Sequence, residues 1–494
     1  MRLRELTAPI LMKRIIGTDD VTIESITTDS RSAAPGSLFV ALRGYTVDGH
    51  DYVQKAVEAG ASAVVVEQAI EGLAAPQVVV RDTRAAIAVL ASVFYRHPSK
   101  KMKLIGITGT NGKTTTTFLI DRVLQDAGFK TGLIGTIIAR IGDEEIEMVN
   151  TTPEALELQT MFKRMHDIGT QYVVMEVSSH AVELKRVAGI DFHTAIFTNL
   201  TQDHLDYHET MEAYRHAKSK FFSQLGSTYA DDLADNKFAI VNVDDPEADF
   251  FIAASMAQGI TYGIDNPSDV RATNVQIKAE GVSFSVESYA GTLDFHLQMT
   301  GKFSVYNALA AIAACLVEGI SLQQIKESLE SVAGVNGRFE RVRAGQDFQV
   351  IVDYSHTPDS LENAMKTVRE FAKGNVYCIV GCGGDRDAGK RPIMAKIAAD
   401  YADLAILTSD NPRTEDPERI LDDMEAGVAG MQGRYVRITD RTVAIKFAVE
   451  KAKADDVILI AGKGHETYQI IGRTKHHFDD REVAAQAIRG ELKA

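Results

Sequence analysis

Short apolar runs alternate with amphipathic helical stretches along the chain, and this pattern predicts α/β structure throughout. In the first hundred residues the predicted strands are 37–42, 63–67 and 77–81, and the predicted helices are 52–59 and 84–95. The polar segment 97–101 contains Pro98, and it predicts a break between two domains.

A second unit begins with the apolar strand 104–108, which leads into a glycine-rich turn and a predicted helix at 114–127. Further strands are predicted at 172–176, 194–198 and 238–242. Apolar and polar residues alternate within 270–299, for example at 282–286 and 293–297, which predicts antiparallel strands, and a helix is predicted at 305–319. A turn at 334–338 marks the end of this unit.

The remaining residues again alternate between the two patterns. Strands are predicted at 350–353, 376–381, 404–408 and 457–461, and helices at 359–372, 391–401, 418–429 and 442–453. This alternation predicts a doubly wound sheet of parallel strands. The expected fold is therefore an α/β protein of three domains, at 1–100, 101–335 and 336–494.

Composition narrows the function classes. A chain of 494 residues that is 45% apolar and 24% charged can bury real cores, which excludes wholesale disorder. Its net charge of −15 argues against general nucleic-acid binding, because phosphate backbones would repel it.

The three cysteines are too few for a disulfide framework. Cys378 and Cys382 are expected to be buried strand residues rather than a metal pair. The first fifteen residues lack the apolar core and cleavage site of a signal peptide, and no stretch is apolar for long enough to span a membrane. The expected location is the cytoplasm, with no membrane insertion.

The segment TGTNGKTT at 108–115 follows an apolar strand and opens a helix. Glycines let backbone N–H groups turn toward phosphates, and the helix N-terminus adds positive potential. Lys113 is expected to reach the terminal phosphates, and the Thr114 hydroxyl to bind Mg²⁺. Ile107 replaces the first glycine of the general pattern, and a turn without nucleotide is the alternative. The predicted phosphate-binding residues are Gly109, Thr110, Asn111, Gly112, Lys113, Thr114 and Thr115.

Acids and imidazoles follow two later strands. Glu176 ends an apolar strand, and the carboxyl ends of parallel strands face the ligand crevice of open α/β sheets. His204 lies in the segment 198–208, which is rich in Asp and His. Because Mg²⁺ prefers oxygen ligands, Glu176 and Thr114 suit one ion, and His204 could assist a second. An ordinary polar loop is the alternative.

Nine motifs resemble those of the Mur ligases, the ATP-dependent amide-forming enzymes of peptidoglycan precursor synthesis. They are TGTNGKTTTT, MEVSSH, TNLTQDHLDYH, FSVYNALAA, GVNGRFE, VDYSHTPDSLENAM, GCGGDRDAGKRP, SDNPRTEDP and AGKGHE. The resemblance implies a UDP-sugar-binding first domain, a central ATP-binding domain of the phosphate-loop type and a Rossmann-like last domain that brings an amino acid. The DNPR motif resembles members that add meso-2,6-diaminopimelate to UDP-N-acetylmuramoyl-L-alanyl-D-glutamate through an acyl phosphate.

The resemblance also implies roles for residues near the nucleotide. It assigns Thr114 and Glu176 to a first Mg²⁺, and His204 with a carbamylated Lys218 to a second; Lys220 is the competing lysine. Together with Lys113 these are the expected catalytic residues. It assigns Asn307, Arg338 and Asp353 to ATP, with His356 in the same segment as Asp353.

The substrate sites are implied in the same way. The UDP-sugar dipeptide is assigned to Ser30, Asn150, Thr151, Thr152, Ser178 and Arg186, with the loop 44–50 lining the same pocket. Diaminopimelate is assigned to Arg386, Asp410, Asn411, Pro412, Arg413, Gly462 and Glu466. Arg413 would pair with the distal carboxylate, which lysine lacks, and such a site can reject lysine by roughly 10⁴–10⁵.

Three alternatives stay open from the sequence. The first is the same reaction with L-lysine, against which Arg413 argues. The second is a folylpolyglutamate-type ligase, which should lack the first α/β domain. The third is a non-catalytic nucleotide switch, which would not need the acids and imidazoles beside the phosphate loop. The expected partners are ATP, the UDP-N-acetylmuramoyl dipeptide and meso-diaminopimelate, and the expected state is a monomer.

Overall fold

The computed structural model describes residues 1–44, 47–278 and 280–492, which form three α/β domains in chain order. Three sheets lie within 13–80, 103–297 and 340–461. The predicted fold class, three α/β domains with mostly parallel sheets, is confirmed. The predicted domain limits fall between these sheets, and we keep them as proposed limits. Within the predicted loop 44–50, Tyr45 and Thr46 lie outside the described residues.

The first domain is a five-stranded sheet with helices packed around it. Its elements are α1 (Leu3–Thr7), β1 (Lys13–Ile16), β2 (Ser25–Thr27), β3 (Ser37–Val40), α2 (Val53–Glu58), β4 (Ala63–Val66), β5 (Gln77–Val80) and α3 (Thr83–Phe94). The strand order is β1-β5-β4-β3-β2, and only β1 runs antiparallel to its neighbour. The predicted strands and helices are present here. The predicted break contains a 3-10 helix, Pro98–Lys101, in which Pro98 and Ser99 are buried.

The central domain contains an eleven-stranded sheet. Its elements are β6 (Lys103–Thr108), α4 (Lys113–Asp126), β7 (Thr131–Ile134), β8 (Ile138–Ile141), β9 (Glu144–Glu147), α5 (Ala155–Asp167), β10 (Tyr172–Glu176), α6 (Ser179–Glu183), β11 (Thr194–Phe197), α7 (Leu205–His208), α8 (Met211–Ser223), β12 (Phe238–Asn242), α9 (Ala248–Ala254), β13 (Gln258–Gly263), β14 (Val270–Lys278), β15 (Gly281–Ser288), β16 (Gly291–Leu297), α10 (Lys302–Val317) and α11 (Leu322–Ser331). The order is β16-β15-β14-β13-β12-β11-β6-β10-β7-β8-β9, and the middle strands are parallel. The predicted antiparallel strands are confirmed as β14, β15 and β16.

The last domain is a six-stranded sheet followed by a two-stranded ribbon. Its elements are β17 (Glu340–Val342), β18 (Gln349–Asp353), α12 (Pro358–Phe371), β19 (Val376–Val380), α13 (Lys390–Tyr401), β20 (Leu404–Leu407), α14 (Pro417–Ala426), β21 (Tyr435–Arg437), α15 (Arg441–Lys451), β22 (Val457–Ala461), β23 (Tyr468–Ile471), β24 (Thr474–His477) and α16 (Asp480–Arg489). The order is β17-β18-β22-β19-β20-β21, parallel except for β17. The expected doubly wound sheet is confirmed, and Cys378 and Cys382 are buried as predicted.

Strand order brings the chemical motifs together at two sheet edges. In the central sheet β11, β6 and β10 are neighbours, and each is followed by one of the motifs around 108–115, 176–180 and 198–208. In the last sheet β20, β19 and β22 are neighbours, and they precede the motifs at 381–387, 409–413 and 461–466. Both clusters therefore lie at the carboxyl ends of adjacent parallel strands, where ligands bind in open α/β sheets. Within the described residues, no helix is both long and apolar enough to cross a bilayer.

Candidate functional site

The loop between β6 and α4 has the geometry of a phosphate cradle. Gly112 precedes α4 in the left-handed region at φ +84°, and a Cβ there would lie 2.4 Å from Asn307 Oδ1. Only glycine fits both constraints. The backbone N–H groups of Thr110 and Asn111 donate to Asn199, to its carbonyl at 2.8 Å and its side-chain oxygen at 2.9 Å. The loop after β11 thus fixes the shape of the phosphate loop.

Lys113 is the first residue of α4. Its ammonium folds back over the loop and donates to the carbonyls of Gly109 at 3.0 Å and Thr110 at 2.7 Å. Burial lowers the pKa of Lys113, and the charges of Glu176 and Asp203 oppose the shift. The lysine therefore already lies in the cradle where it was expected to meet phosphate.

Glu176 is the last residue of β10 and is paired in register with Ile107 on β6. It is buried, and both carboxylate oxygens accept hydrogen bonds from Thr136, from its N–H at 2.8 Å and its hydroxyl at 2.9 Å. The end of the neighbouring strand thus places a hydrogen-bonded carboxylate close enough to Lys113 for its charge to raise the pKa of that lysine.

His204 lies beyond β11 with a left-handed backbone, at φ +54°. Its Nε2 is 3.3 Å from Asp203 Oδ2, and its ring lies 4.8 Å from the ring of His180. Burial lowers the pKa of His204 to about 4, although Asp203 opposes the shift. A neutral imidazole at neutral pH is the form that can act as a metal ligand.

The two candidate lysines on α8 differ sharply in environment. Lys218 is 1% exposed, and its Nζ donates to Gly109 O at 2.8 Å and lies 4.6 Å from the centre of the Tyr214 ring. Burial lowers the pKa of Lys218 well below its usual range. Lys220 points to the surface, where it pairs with Glu183 at 2.6 Å. Lys218 is therefore the lysine that faces the phosphate loop.

These residues form a mixed donor set rather than a ready-made metal cage. Among the described residues, no three His, Cys, Asp or Glu side chains converge as a metal site. Thr114 and Glu176 supply the oxygen donors that Mg²⁺ prefers, and phosphate oxygens or a carbamate would have to complete the sphere. The residues fit Mg²⁺ bound together with a nucleotide.

Arg338 connects the last domain to the phosphate loop. Its Nη2 donates to the Thr114 hydroxyl at 3.0 Å, and its guanidinium lies 4.7 Å over the Tyr354 ring. Its Nε is buried without a hydrogen-bond partner in the described part of the chain. This unsatisfied donor suits a phosphate oxygen, because buried polar groups are normally paired.

Asn307 and Asp353 are the other two residues that the resemblance assigns to ATP. Asn307 is buried on α10, and its Oδ1 accepts from the Thr116 hydroxyl at 3.4 Å. Asp353 ends β18, where Oδ2 accepts from the N–H of Phe339 at 2.7 Å and Oδ1 accepts from the Ser355 hydroxyl. Asp353 thus shapes the backbone beside Arg338.

His356, the other predicted residue of this segment, has a pKa lowered by burial, and its carbonyl accepts from Lys390 Nζ at 2.8 Å. Three residues later, Asp359 crosses between domains. One of its carboxylate oxygens accepts from Asn111 Nδ2 at 2.6 Å and from the Thr201 hydroxyl at 3.0 Å. The amino end of α12 is thereby tied to the phosphate loop.

Three residues of the predicted sugar site converge beside Glu176. The Thr152 hydroxyl donates to Glu176 O at 2.9 Å and accepts from the N–H of Ser178 at 3.1 Å. Arg186 Nη1 donates to Thr152 O at 2.9 Å. Thr151 is near this group through a hydroxyl contact of 3.1 Å with Thr136.

The other two predicted sugar-site residues lie apart from that group. Ser30 is buried in a 3-10 helix, Ser30–Ser32, of the first domain, and Asn150 is exposed. A cavity of about 550 Å³ lies between the first and central domains and borders both regions. Its lining includes Thr28, Leu42, Ile87, Ile146, Glu154 and Arg164.

A second polar cluster lies at the carboxyl ends of β20 and β22. Asn411 Nδ2 donates to Glu466 Oε2 at 2.8 Å. Gly462 has φ +118°, and a Cβ on it would lie 2.6 Å from Asp410 Oδ2, so a side chain there would displace the carboxylate. Burial raises the pKa of Glu466, and the charge of Asp410 adds to the shift. The cluster therefore holds two carboxylates, with the ammonium of Lys463 2.9 Å from Glu466 Oε2.

Arg413 lies beside this cluster with a left-handed backbone at φ +51°. It is half-buried, its N–H donates to Ile470 O at 3.0 Å, and its Nη1 donates to Gly384 O at 2.7 Å. Left-handed non-glycine residues are strained and concentrate at functional sites. Pro412 precedes it and is buried.

Arg386 is less constrained than Arg413. It is exposed, and its Nη1 donates to Asp385 O at 3.2 Å. A Cβ on Gly383 would lie 2.9 Å from Arg413 Nη1 and 3.8 Å from Arg386 Cγ, so both arginines flank the same glycine. Arg386 is therefore the exposed arginine of the two, and Arg413 the half-buried one.

Several residues in these clusters escaped the sequence analysis. Asn199 and Thr201 belong to the quoted TNLTQDHLDYH motif, and Lys463 to AGKGHE, so the signal was the motif itself. Asp359 belongs to the quoted VDYSHTPDSLENAM motif, but its contacts to the phosphate loop depend on how two domains meet.

Comparison with known proteins agrees with this geometry. The family model described as "Mur ligase family, catalytic domain" matches residues 22–95. The one described as "Mur ligase middle domain" matches 107–315, and "Mur ligase, glutamate ligase domain" matches 337–464.

Individual relatives match over nearly the full length. A Bacillus cereus protein named UDP-N-acetylmuramoyl-L-alanyl-D-glutamate--2,6-diaminopimelate ligase is 52% identical over 492 residues, which cover 100% of this chain and 99% of the relative. A Geobacillus thermodenitrificans protein of the same name is 54% identical, covering 94% and 95%. A solved structure described by that name is 33% identical, covers 99% of each chain and has a TM-score of 0.70.

Proposed function

The chain belongs to the Mur ligase family, and we propose that it joins meso-2,6-diaminopimelate to UDP-N-acetylmuramoyl-L-alanyl-D-glutamate with ATP as co-substrate. The observation that carries this proposal is the grouping of Arg413, Asp410 and Glu466 around Tyr468 in the proposed amino-acid cleft, where the charges of all three act on the pKa of Tyr468. A guanidinium beside two carboxylates matches a ligand end that carries both a carboxylate and an ammonium. The names of the full-length relatives support the same substrate.

The first step needs a phosphoryl group held near a carboxylate. The backbone N–H groups at the amino end of α4, which begins at Lys113, would bind the phosphates of ATP. Lys113 would leave the carbonyls of Gly109 and Thr110 for the terminal phosphates. The D-glutamyl carboxylate oxygen then attacks the γ-phosphorus, the bond to the β,γ-bridging oxygen breaks, and ADP leaves an acyl phosphate. Phosphorylation gives a poor electrophile a leaving group.

In the second step the amine attacks the acyl carbon. Arg413 would hold the distal carboxylate, and Asp410 and Glu466 the ammonium at the same end of the ligand. The amine at the other end forms the C–N bond, the amine proton is lost, and the tetrahedral intermediate expels phosphate to leave the amide. Binding one end of the ligand orients the reacting amine at its other end. Such orientation can raise the rate by several orders of magnitude.

For the metal ions we propose Thr114 and Glu176 as ligands of one Mg²⁺, and His204 with Lys218 as its carbamate for another. When bound, Mg²⁺ neutralises phosphate charge that develops during transfer. The buried amine of Lys218 fits carbamate formation, since its lowered pKa favours the neutral amine. That amine adds to CO₂, forms a C–N bond and releases one proton.

The sugar dipeptide would occupy the region between the first and central domains. Thr152, Ser178 and Arg186 form a connected hydrogen-bonded group beside Glu176, and Thr28, two residues before Ser30, lines the cavity between the first and central domains. Asn150 and Thr151 would close over the dipeptide. One chain carries all of these parts, so we propose a monomer that works in the cytoplasm, where ATP is available.

One assay tests the proposal. The protein is mixed with ATP, Mg²⁺ and the UDP-N-acetylmuramoyl dipeptide, and phosphate release is compared with meso-diaminopimelate, with lysine and with no amino acid. We expect release only with diaminopimelate, with a product heavier by one diaminopimelate less water in the mass spectrum. Equal release under all three conditions would favour a nucleotide hydrolase, and ATP binding without any release would favour the non-catalytic switch. Equal release with diaminopimelate and lysine would exclude the proposed specificity.

A further inference from the structure

Lys463 lies directly beneath the proposed amino-acid cleft, in the loop after β22. The residue is 0% exposed, and its ammonium lies between two candidate substrate-binding side chains. Its Nζ donates to Asn411 Oδ1 at 3.1 Å and to Glu466 Oε2 at 2.9 Å. It is therefore a buried cation that reaches the cleft only through other residues.

The lysine determines how the Asn411 amide is oriented. Asn411 Oδ1 accepts from Lys463 and from the N–H of Ile470 at 2.9 Å, while Nδ2 donates to Glu466 Oε2 at 2.8 Å. A flipped amide would point its NH₂ at two donors, which is unfavourable. These contacts occupy Glu466 Oε2, and they aim Oε1 away from the lysine.

The charge of Lys463 also favours the ionised form of the Glu466 carboxyl group. Burial and the charge of Asp410 raise the pKa of Glu466, and Lys463 opposes that rise. The titratable or charged groups facing Glu466 are Asp410, Lys463, Arg441, Tyr354 and Tyr468. Arg441 is already paired with Asp480, so it adds little net charge.

The charges of Asp410, Glu466 and Lys463 do not cancel. Asp410 and Glu466 contribute two negative charges and Lys463 one positive charge, which leaves a net charge of one negative. A single ammonium from the ligand would neutralise it. Without the lysine, two buried carboxylates would face each other, and one would take up a proton.

We propose that Lys463 is a positioning residue for the amino-acid substrate. It fixes the Asn411 amide and holds Glu466 as an oriented carboxylate that receives the ligand ammonium. This inference rests on the proposed function of the cleft, and it adds a role for a residue that does not itself touch the substrate.

The test is Lys463→Met, which removes the charge and keeps an unbranched apolar side chain. We expect the KM for diaminopimelate to rise about tenfold or more, because the ammonium loses an oriented partner. The KM values for ATP and the sugar dipeptide should stay within about twofold, since most residues of their proposed sites lie in the other two domains. The matched control is Lys396→Met, an exposed lysine on α13 that pairs with Asp400 and should leave all three KM values unchanged.

A pH profile separates positioning from mere structural support. In Lys463→Met the acid limb of kcat/KM for diaminopimelate should move to higher pH, because Glu466 loses its cation and protonates more readily. The double variant Lys463→Met with Glu466→Gln removes cation and anion together, so it preserves charge balance should the single variant fail to fold. It should lack the displaced limb and still show the raised KM for diaminopimelate.

The outcomes are distinct. An unchanged KM for diaminopimelate in a folded variant, or equal rises in all three KM values, would overturn the role of Lys463. Absence of diaminopimelate-dependent turnover in the unsubstituted protein would instead refute the proposed function, and the positioning role would fall with it.

Discussion

Replacing Arg413 with alanine should weaken diaminopimelate far more than ATP. In the structure the half-buried guanidinium uses Nη1 on Gly384 O, at 2.7 Å, and its left-handed backbone is fixed by the hydrogen bond to Ile470. The side chain is thereby held in the cleft wall, where its remaining N–H groups can form a fork to a carboxylate.

The magnitude follows from that geometry. Each hydrogen bond to a charged group contributes about 1.5–3 kcal/mol, and the lower value applies to a side chain that keeps some solvent contact. Two such bonds amount to about 3 kcal/mol, which is a loss of about a hundredfold in kcat/KM for diaminopimelate. Arg413→Lys keeps the charge without the fork, so it should lose about tenfold.

Steady-state phosphate release with each substrate varied in turn measures these effects. The control is Arg419→Ala, an exposed arginine on α14, which should change kcat/KM by no more than about twofold. The ATP KM should stay unchanged in all three variants. If Arg413→Ala raised the KM for ATP and diaminopimelate together, or raised neither, the guanidinium would not recognise the substrate carboxylate.

Two further predictions concern the framework of the site. Gly112→Ala should abolish tight ATP binding in a nucleotide titration, because a Cβ would lie 2.4 Å from Asn307 Oδ1. The control is Gly128→Ala, beyond the other end of α4, where φ is +90° and the space around the Cβ is open. This control should cost only about 1 kcal/mol of stability. Arg441→Met should lower the free energy of unfolding by about 3–5 kcal/mol in a denaturant titration, since it leaves Asp480 buried without its partner. Adding Asp480→Leu should recover much of that loss, and failure to recover it would show that the pair is not the cause.

Element identity was largely predictable from the hydrophobic pattern. The strands 172–176, 238–242 and 457–461 have the predicted bounds, because each is an apolar run buried on both faces of a parallel sheet. Strand β9 was missed, since its residues Glu144–Glu147 are mostly exposed acids and lack an apolar signal. Helix α10 begins at Lys302 rather than 305, directly after Gly301, whose φ of +94° ends the preceding segment.

The site was predictable to the extent that each functional residue follows a strand or belongs to a motif. Glu176 illustrates this, because a carboxylate at the end of an apolar strand has to face the crevice. The choice between Lys218 and Lys220 required the helix orientation, which buries the first lysine and exposes the second. The left-handed backbone of Arg413 carries no sequence signal, because arginine does not favour that conformation, whereas histidine is enriched there and gives a weak signal at His204.

Contacts between domains lay beyond prediction for a physical reason. Hydrophobic periodicity reports which face of an element is buried within its own domain, but not what another domain presents to it. Asp359 lies in the first turn of α12 in the last domain, yet its carboxylate accepts hydrogen bonds from Asn111 and Thr201 of the central domain. Burial raises the pKa of Asp359, because the carboxylate loses contact with water. The hydrogen bonds from Asn111 and Thr201, which form only when the two domains meet, offset this loss. The contact joins two domains whose hydrophobic patterns are independent, so neither pattern could predict it.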